Sequence, residues 1–85
     1  MNWRIVWSER ARRDLRKLDA SVSQRVVRAL EELAGTGLGD VKRLRGYDDQ
    51  WRLRVGRWRV RFTIDPVSAT LLIIRVLPRG DAYRE

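Results

Sequence analysis

The apolar positions of this chain change their period along its length, and the change divides it into elements. Asn2 to Trp7 alternates enough to predict a strand. Ser8 then stands before a run in which Ala11, Leu15 and Leu18 follow helical spacing, which predicts a first helix capped by Ser8 and ending near Asp19. Ser21, with Gln24 three residues on, has the pattern of a capping box for a second helix. Its apolar stripe is Val22, Val26, Leu30 and Leu33, and Gly35 is the expected stop. Gly35, Gly37 and Gly39 make a loop, and from Val41 onward the period becomes two.

Trp51, Leu53 and Val55 alternate with Arg52 and Arg54; beyond a turn at Gly56, Trp58, Val60, Phe62 and Ile64 alternate with Arg57, Arg59, Arg61 and Thr63. This is a hairpin with one wet face. Asp65, Pro66 and Ser68 supply the next turn, and Leu71 to Val76 is almost continuously apolar, as in a central strand covered on both sides. The element order β-α-α-β-β-β predicts an α+β fold, with a helix hairpin packed on one face of a largely antiparallel sheet.

Length adds that residues 1–85 are one domain, because so short a chain supports one core. The chain has no cysteine, so no disulfide framework is possible, and the cytoplasm is the expected compartment. Arg4 interrupts the N-terminal apolar residues and Leu71–Ile74 is too short to span a bilayer, so neither export nor a membrane partner is expected.

Charge changes the picture most: 19 Lys plus Arg against 11 Asp plus Glu give +8, and 17 of the 19 are arginine, the planar fork that holds phosphate by two parallel bonds. On the predicted hairpin Arg52, Arg54, Arg57, Arg59 and Arg61 share one face, about 6.6 Å apart along each strand. No acid lies between Trp51 and Ile64. Like charges opposite each other across strands are destabilising, so a uniformly positive face points to a bound polyanion, a nucleic acid. Trp51 and Trp58 share the parity of Leu53, Val60 and Phe62 and are expected in the core, not stacked on bases; Trp3 and Trp7 are expected in the core or facing a partner.

With neither histidine nor cysteine, the imidazole pair of many ribonucleases and the usual zinc sites are absent, and no metal or cofactor is expected. Asp48 and Asp49 fall in a predicted loop, where they suit a turn better than a magnesium pair. For RNA the remaining route is attack by the substrate's own 2′-hydroxyl, with arginines stabilising the phosphate and a tyrosine, Tyr47 or Tyr83, available for proton transfer or base stacking. Lys42, Arg43 and Arg45 are candidates for RNA contact, ribosomal RNA included.

The run GYDDQWRLRVGRWRVRF from Gly46 to Phe62, followed by LPRGDAYR, resembles the RelE/ParE toxins of type II toxin-antitoxin systems, which carry a YRLRVGDYRV-type hairpin and an HRxxxY-type end. Ser8 to Leu18 and the LGDVKRLRG segment from Leu38 to Gly46 extend the likeness over nearly the whole chain. The resemblance implies the fold already predicted and an antitoxin partner in a toxin-antitoxin hetero-oligomer. Carried over residue by residue, it implies a catalytic set of Arg52, Arg54, Arg59, Arg79 and Tyr83, with Arg57 and Arg61 left as RNA-binding charge. Where some relatives have lysine this chain has Arg52 and Arg54, and arginine does not deprotonate, so base duty falls to Tyr83 or stays unassigned. Pro78 stands where many relatives have histidine.

The branch implied is RelE, a ribosome-dependent mRNA endonuclease, or mRNA interferase, that inhibits translation by metal-independent hydroxyl attack. Two alternatives stand beside it: a ParE-like, non-nuclease toxin acting on DNA gyrase, and a catalytically inactive nucleic-acid-binding protein.

Overall fold

The computed structural model describes residues 2–47 and 49–81. Strand β1 (Arg4–Trp7) leads into helices α1 (Glu9–Arg16) and α2 (Ala20–Thr36), and strands β2 (Val41–Arg43), β3 (Gln50–Val55), β4 (Trp58–Asp65) and β5 (Thr70–Pro78) follow, with a 3-10 turn at Arg79–Asp81. The sheet order is β1-β5-β4-β3-β2, antiparallel except for the β1–β5 pair. The α+β class and the helix pair therefore agree with the sequence pattern. The order gains one strand, β2, whose three residues are too few to display a period of two.

Ser8 is the N-cap of α1, its Oγ accepting from Ala11 N at 3.1 Å, and the same hydroxyl donates to Ile74 O at 3.0 Å. The start of α2 differs from expectation. Asp19 takes the N-cap position without a side-chain bond, Ser21 lies inside the first turn, and the capping box is not formed. The helix also passes Gly35 and ends at Gly37, which adopts the left-handed conformation (φ 81°) that a Schellman-type stop requires. A glycine two positions further along satisfied the same backbone demand.

The core lies between the helices and one sheet face. Ala11, Val26, Leu30 and Leu33 meet Leu53, Val60, Phe62, Leu71 and Ile73, with Trp3, Trp7, Trp51 and Trp58 half-buried around them. Trp51 and Trp58 thus pack as their parity predicts, and Trp3 and Trp7 take the first of their two expected places. At roughly 1.5–3 kcal/mol for each large apolar side chain fully buried, this layer is the main stabilising term. β5 is central, but it is not covered on both sides: Leu72 is 39% exposed. Its apolar run has another origin. The pairing slips between Arg61↔Arg75 and Phe62↔Ile73, leaving Ile74 as an extra, bulged residue beside Ile73, while Leu72 adds an apolar residue on the exposed face.

Where β1 stops at Trp7, α1 takes over the neighbouring edge of β5. Asp14, buried, accepts from Val76 N at 2.9 Å and from Arg75 Nε at 2.8 Å, replacing the ladder partner that a longer β1 would have provided.

Candidate functional site

The helix-free face of the sheet carries a row of cations, one on each of β2, β3, β4 and β5: Lys42 pairs in register with Arg52, Arg52 with Arg61, and Arg61 with Arg75. A second row sets Arg54 opposite Arg59. The hairpin that aligns them turns at Gly56, whose φ of 60° favours glycine and whose missing Cβ would lie 2.8 Å from Arg25 Nη2.

The rows are not uniformly positive, which corrects the sequence expectation. Asp40 enters the face from the residue before β2: Oδ2 stands 2.6 Å from Arg54 Nε and Oδ1 stands 3.2 Å from Arg52 Nη1. Its carbonyl also accepts from Arg54 N at 2.9 Å and from Arg52 Nη1 at 3.0 Å. The bond from Arg52 lowers the Asp40 pKa from the usual 3.8, assisted by the charges of Arg54 and Arg52 and outweighing desolvation. A signal for this existed, since with Val41 opposite Leu53 the next residue pair along is Asp40 and Arg54. It could be read only by someone who already knew of β2.

Burial sorts the remaining arginines. Arg59, only 8% exposed, folds its Nη1 back onto the carbonyls of Gly56 and Trp58, both at 3.0 Å, and so braces the turn. Arg61 is 2% exposed; its guanidinium donates to Gln50 Oε1 and lies 4.7 Å from the centre of the Tyr47 ring. Arg61, which parity alone places on the open face, is thus covered by neighbours on that same face. Arg52 is largely covered too, and its Nε is buried with no hydrogen-bond partner among the described residues. Arg54 keeps 55% of its side chain exposed.

The exposed cations form two groups at opposite ends of the hairpin. At the β3–β4 turn, Arg79 N donates to Arg57 O at 2.9 Å, which joins the backbones of exposed Arg57 and Arg79 at the end of the hairpin that also carries Arg54. At the other end exposed Lys42, Arg43 and Arg45 surround a cleft with Leu44 and Tyr47, and Arg43 lies 5.9 Å from the Trp51 ring. Tyr83 lies outside the described residues, as does Asp48. Chemically, the turn end gathers exposed arginines, while the opposite end pairs cations with an aromatic ring.

Residues 5–83 match the family described as ParE toxin of type II toxin-antitoxin system, parDE. The chain belongs to the RelE/ParE toxin family. It is 26% identical over 88 residues to a protein of Methanocaldococcus jannaschii named toxin RelE1, covering 99% of this chain and 98% of that one. The toxin-antitoxin complex RelBE2 of Mycobacterium tuberculosis contains a chain 30% identical, with TM-score 0.80 over 93% of this chain and 100% of the other. The RelE-RelB complex of Pyrococcus horikoshii OT3 shares the fold at 24% identity, TM-score 0.79, over 96% of this chain and 100% of that one. As a type II toxin of the RelE/ParE family, the chain carries its arginine-rich hairpin in the sheet architecture of these relatives.

Proposed function

We propose that this toxin is an endoribonuclease that cuts messenger RNA on the ribosome and so stops translation. The observation that carries the reading is that Arg54, Arg57 and Arg79 lie at the same end of the hairpin, Arg54 opposite Arg59 in register and Arg79 N bonded to Arg57 O, at the end of the sheet where the resemblance puts the reacting phosphate. Preorganised donors of this kind act on charge that develops in the transition state, each worth on the order of 10²–10³ in rate. Chain cleavage follows attack of the substrate's 2′-hydroxyl on the adjacent phosphorus: the P–O2′ bond forms, the P–O5′ bond breaks, and the 5′ oxygen leaves with a proton. The products are a 2′,3′-cyclic phosphate and a 5′-hydroxyl, and no cofactor is required. Tyr83, in this reading, moves the proton or stacks on a base.

The reading places the toxin in the cytoplasm with its ribosomal target. The partner proposed is a cognate antitoxin rich in acidic residues, supported by the solved relatives, which are complexes with antitoxins. Covering or displacing part of a +8 chain's arginine face would silence it.

One observation favours the second reading, a non-nuclease toxin acting on DNA gyrase: the Arg59 guanidinium is engaged by the turn's own carbonyls. Inducible expression separates them, with messenger 5′ ends mapped and plasmid supercoiling assayed together. Codon-periodic cuts are expected. Loss of supercoiling without cuts would select the gyrase reading, and neither effect would leave a nucleic-acid-binding protein without catalysis.

A further inference from the structure

The cleft of about 450 Å³ at the β2 end of the sheet is built unlike the site at the turn. Its lining is Lys42, Arg43, Leu44, Arg45 and Tyr47. Leu44, 5% exposed, anchors the segment to the body of the protein, and Gly46 (φ 80°) turns the chain so that Tyr47 comes back over Arg61. That contact holds the ring from beneath: the guanidinium is 4.7 Å from the ring centre, is itself buried, and is fixed by Gln50. A ring so held has lost its rotational freedom before any ligand arrives, which lowers the entropy cost of stacking on it.

Around this platform the charged lining residues are all cations, and Asp49 is not among them. Nor is any of Lys42, Arg43 and Arg45 ion-paired with an acid among the described residues. Arg52 and Arg75, by contrast, are engaged by Asp40 and Asp14. A flat aromatic face bordered by uncompensated cations is the pairing that single-stranded nucleic acid requires, base on ring and phosphate on charge.

Position completes the argument. Arg43 is in register with Trp51 and Val55 with Trp58, so the cleft lies about 13 Å along β3 from the turn. A strand seated at the turn and running along the helix-free face reaches the cleft within a few nucleotides.

We propose that this cleft is a second, non-catalytic subsite that binds one nucleotide of single-stranded RNA, its base stacked on Tyr47 and its phosphates held by Lys42, Arg43 and Arg45. The inference rests on the RNA reading above but does not depend on catalysis. Of the two roles open to a tyrosine in the sequence, it assigns Tyr47 base stacking.

The test is equilibrium binding of the full chain to a short fluorescent oligoribonucleotide made uncleavable by 2′-O-methyl groups, read by anisotropy across a salt series. Tyr47→Ala should weaken binding roughly 5- to 150-fold, the range for one stacked base, while Tyr47→Phe, which keeps the ring, stays near the parent value. Lys42→Ala and Arg45→Ala should each reduce the dependence of log affinity on log salt by about 0.7, the single-strand value per phosphate contact. A blunt duplex of the same sequence should bind more weakly, since its bases cannot reach the ring. Circular dichroism checks folding; if Tyr47→Ala does not fold, the Lys42 and Arg45 variants and the duplex comparison decide alone. Unchanged affinity and salt slope in those variants, or a duplex bound as tightly as the single strand, would overturn the subsite. Single-strand binding lost on these substitutions in a chain that never cuts ribosome-bound messenger would keep the subsite and overturn the nuclease.

Discussion

Asp40 Oδ2 and Arg54 Nε lie 2.6 Å apart, so a carboxylate occupies the space beside Arg54 that an incoming phosphate would need. The free toxin holds an internal anion at its own site, next to two residues of the proposed catalytic set.

Asp40→Asn removes that anion while keeping the side-chain shape. Affinity for the uncleavable oligoribonucleotide should rise and its salt dependence steepen, because one more cation is released to meet phosphate. Single-turnover cleavage at saturation should rise less than affinity, or fall, since Arg52 and Arg54 also lose a partner that orients them. Binding isotherms and single-turnover rates, measured side by side, check the split.

The same carboxylate makes a pH prediction. Its folded pKa is below 3.8, so its contribution to stability is fully present above 3.8 and is lost as pH falls through the lowered value. Carboxyl chemical shifts followed by NMR should give a midpoint for Asp40 below 3.8. Arg52→Ala should return the midpoint toward 3.8 by more than Arg54→Ala does, since the Arg52 bond is the largest cause.

Asp14 is expected to be the most sensitive polar residue of the fold. Asp14→Ala leaves Arg75 without its carboxylate partner and the Val76 N–H without its acceptor, a loss of about 3–5 kcal/mol for a broken buried pair. Asp14→Asn retains an acceptor for Val76 and should cost less. Urea unfolding midpoints at constant slope measure both.

Among the arginines, burial and exposure separate the outcomes. Arg79→Ala should lower single-turnover cleavage on saturated ribosomes by about 10²–10³ with the fold unchanged by circular dichroism. Arg57→Ala should chiefly weaken association and its salt dependence. Arg61→Ala should act on stability, by about 2–3 kcal/mol, through the loss of a buried hydrogen-bonded side chain and the space it leaves. Tyr83→Phe reports proton transfer if the rate falls strongly and base stacking if it barely changes.

Gly56→Ala should cost about 1–2 kcal/mol from the left-handed backbone, with the flexible end of Arg25 moving aside at little further expense. Thermal melting checks it.

The two helices, the hairpin and the packing of Trp51 and Trp58 were legible in the sequence because each follows from a repeat long enough to count. β2 was not, since three residues carry no period, and with it went Asp40, whose place opposite Arg54 is set by the β2–β3 register. The continuous apolar run of β5 suggested burial on both faces, whereas it combines an exposed Leu72 with a bulge at Ile74. For the site, parity correctly gathered the arginines on one face. It could not say that Arg59 bends back to the turn or that Arg61 is covered by Gln50 and Tyr47, because side chains of that length choose among partners that only the fold brings near.

The pairing of the first strand with β5 also bears on how the toxin is born. Ser8 and Ile74, which close that junction, are 66 residues apart, a stretch synthesised in roughly 3–13 s at 5–20 residues per second. β1 lies at the edge of the sheet with β5 as its one neighbouring strand, so throughout that interval it has nothing to pair with. Arg79, just beyond β5, is translated later still. Every new copy therefore has a waiting period before its arginines are assembled. If translation is the target, any slowing of the cell's ribosomes lengthens that wait for the next copy, and the topology becomes a delay in the toxin's own production line.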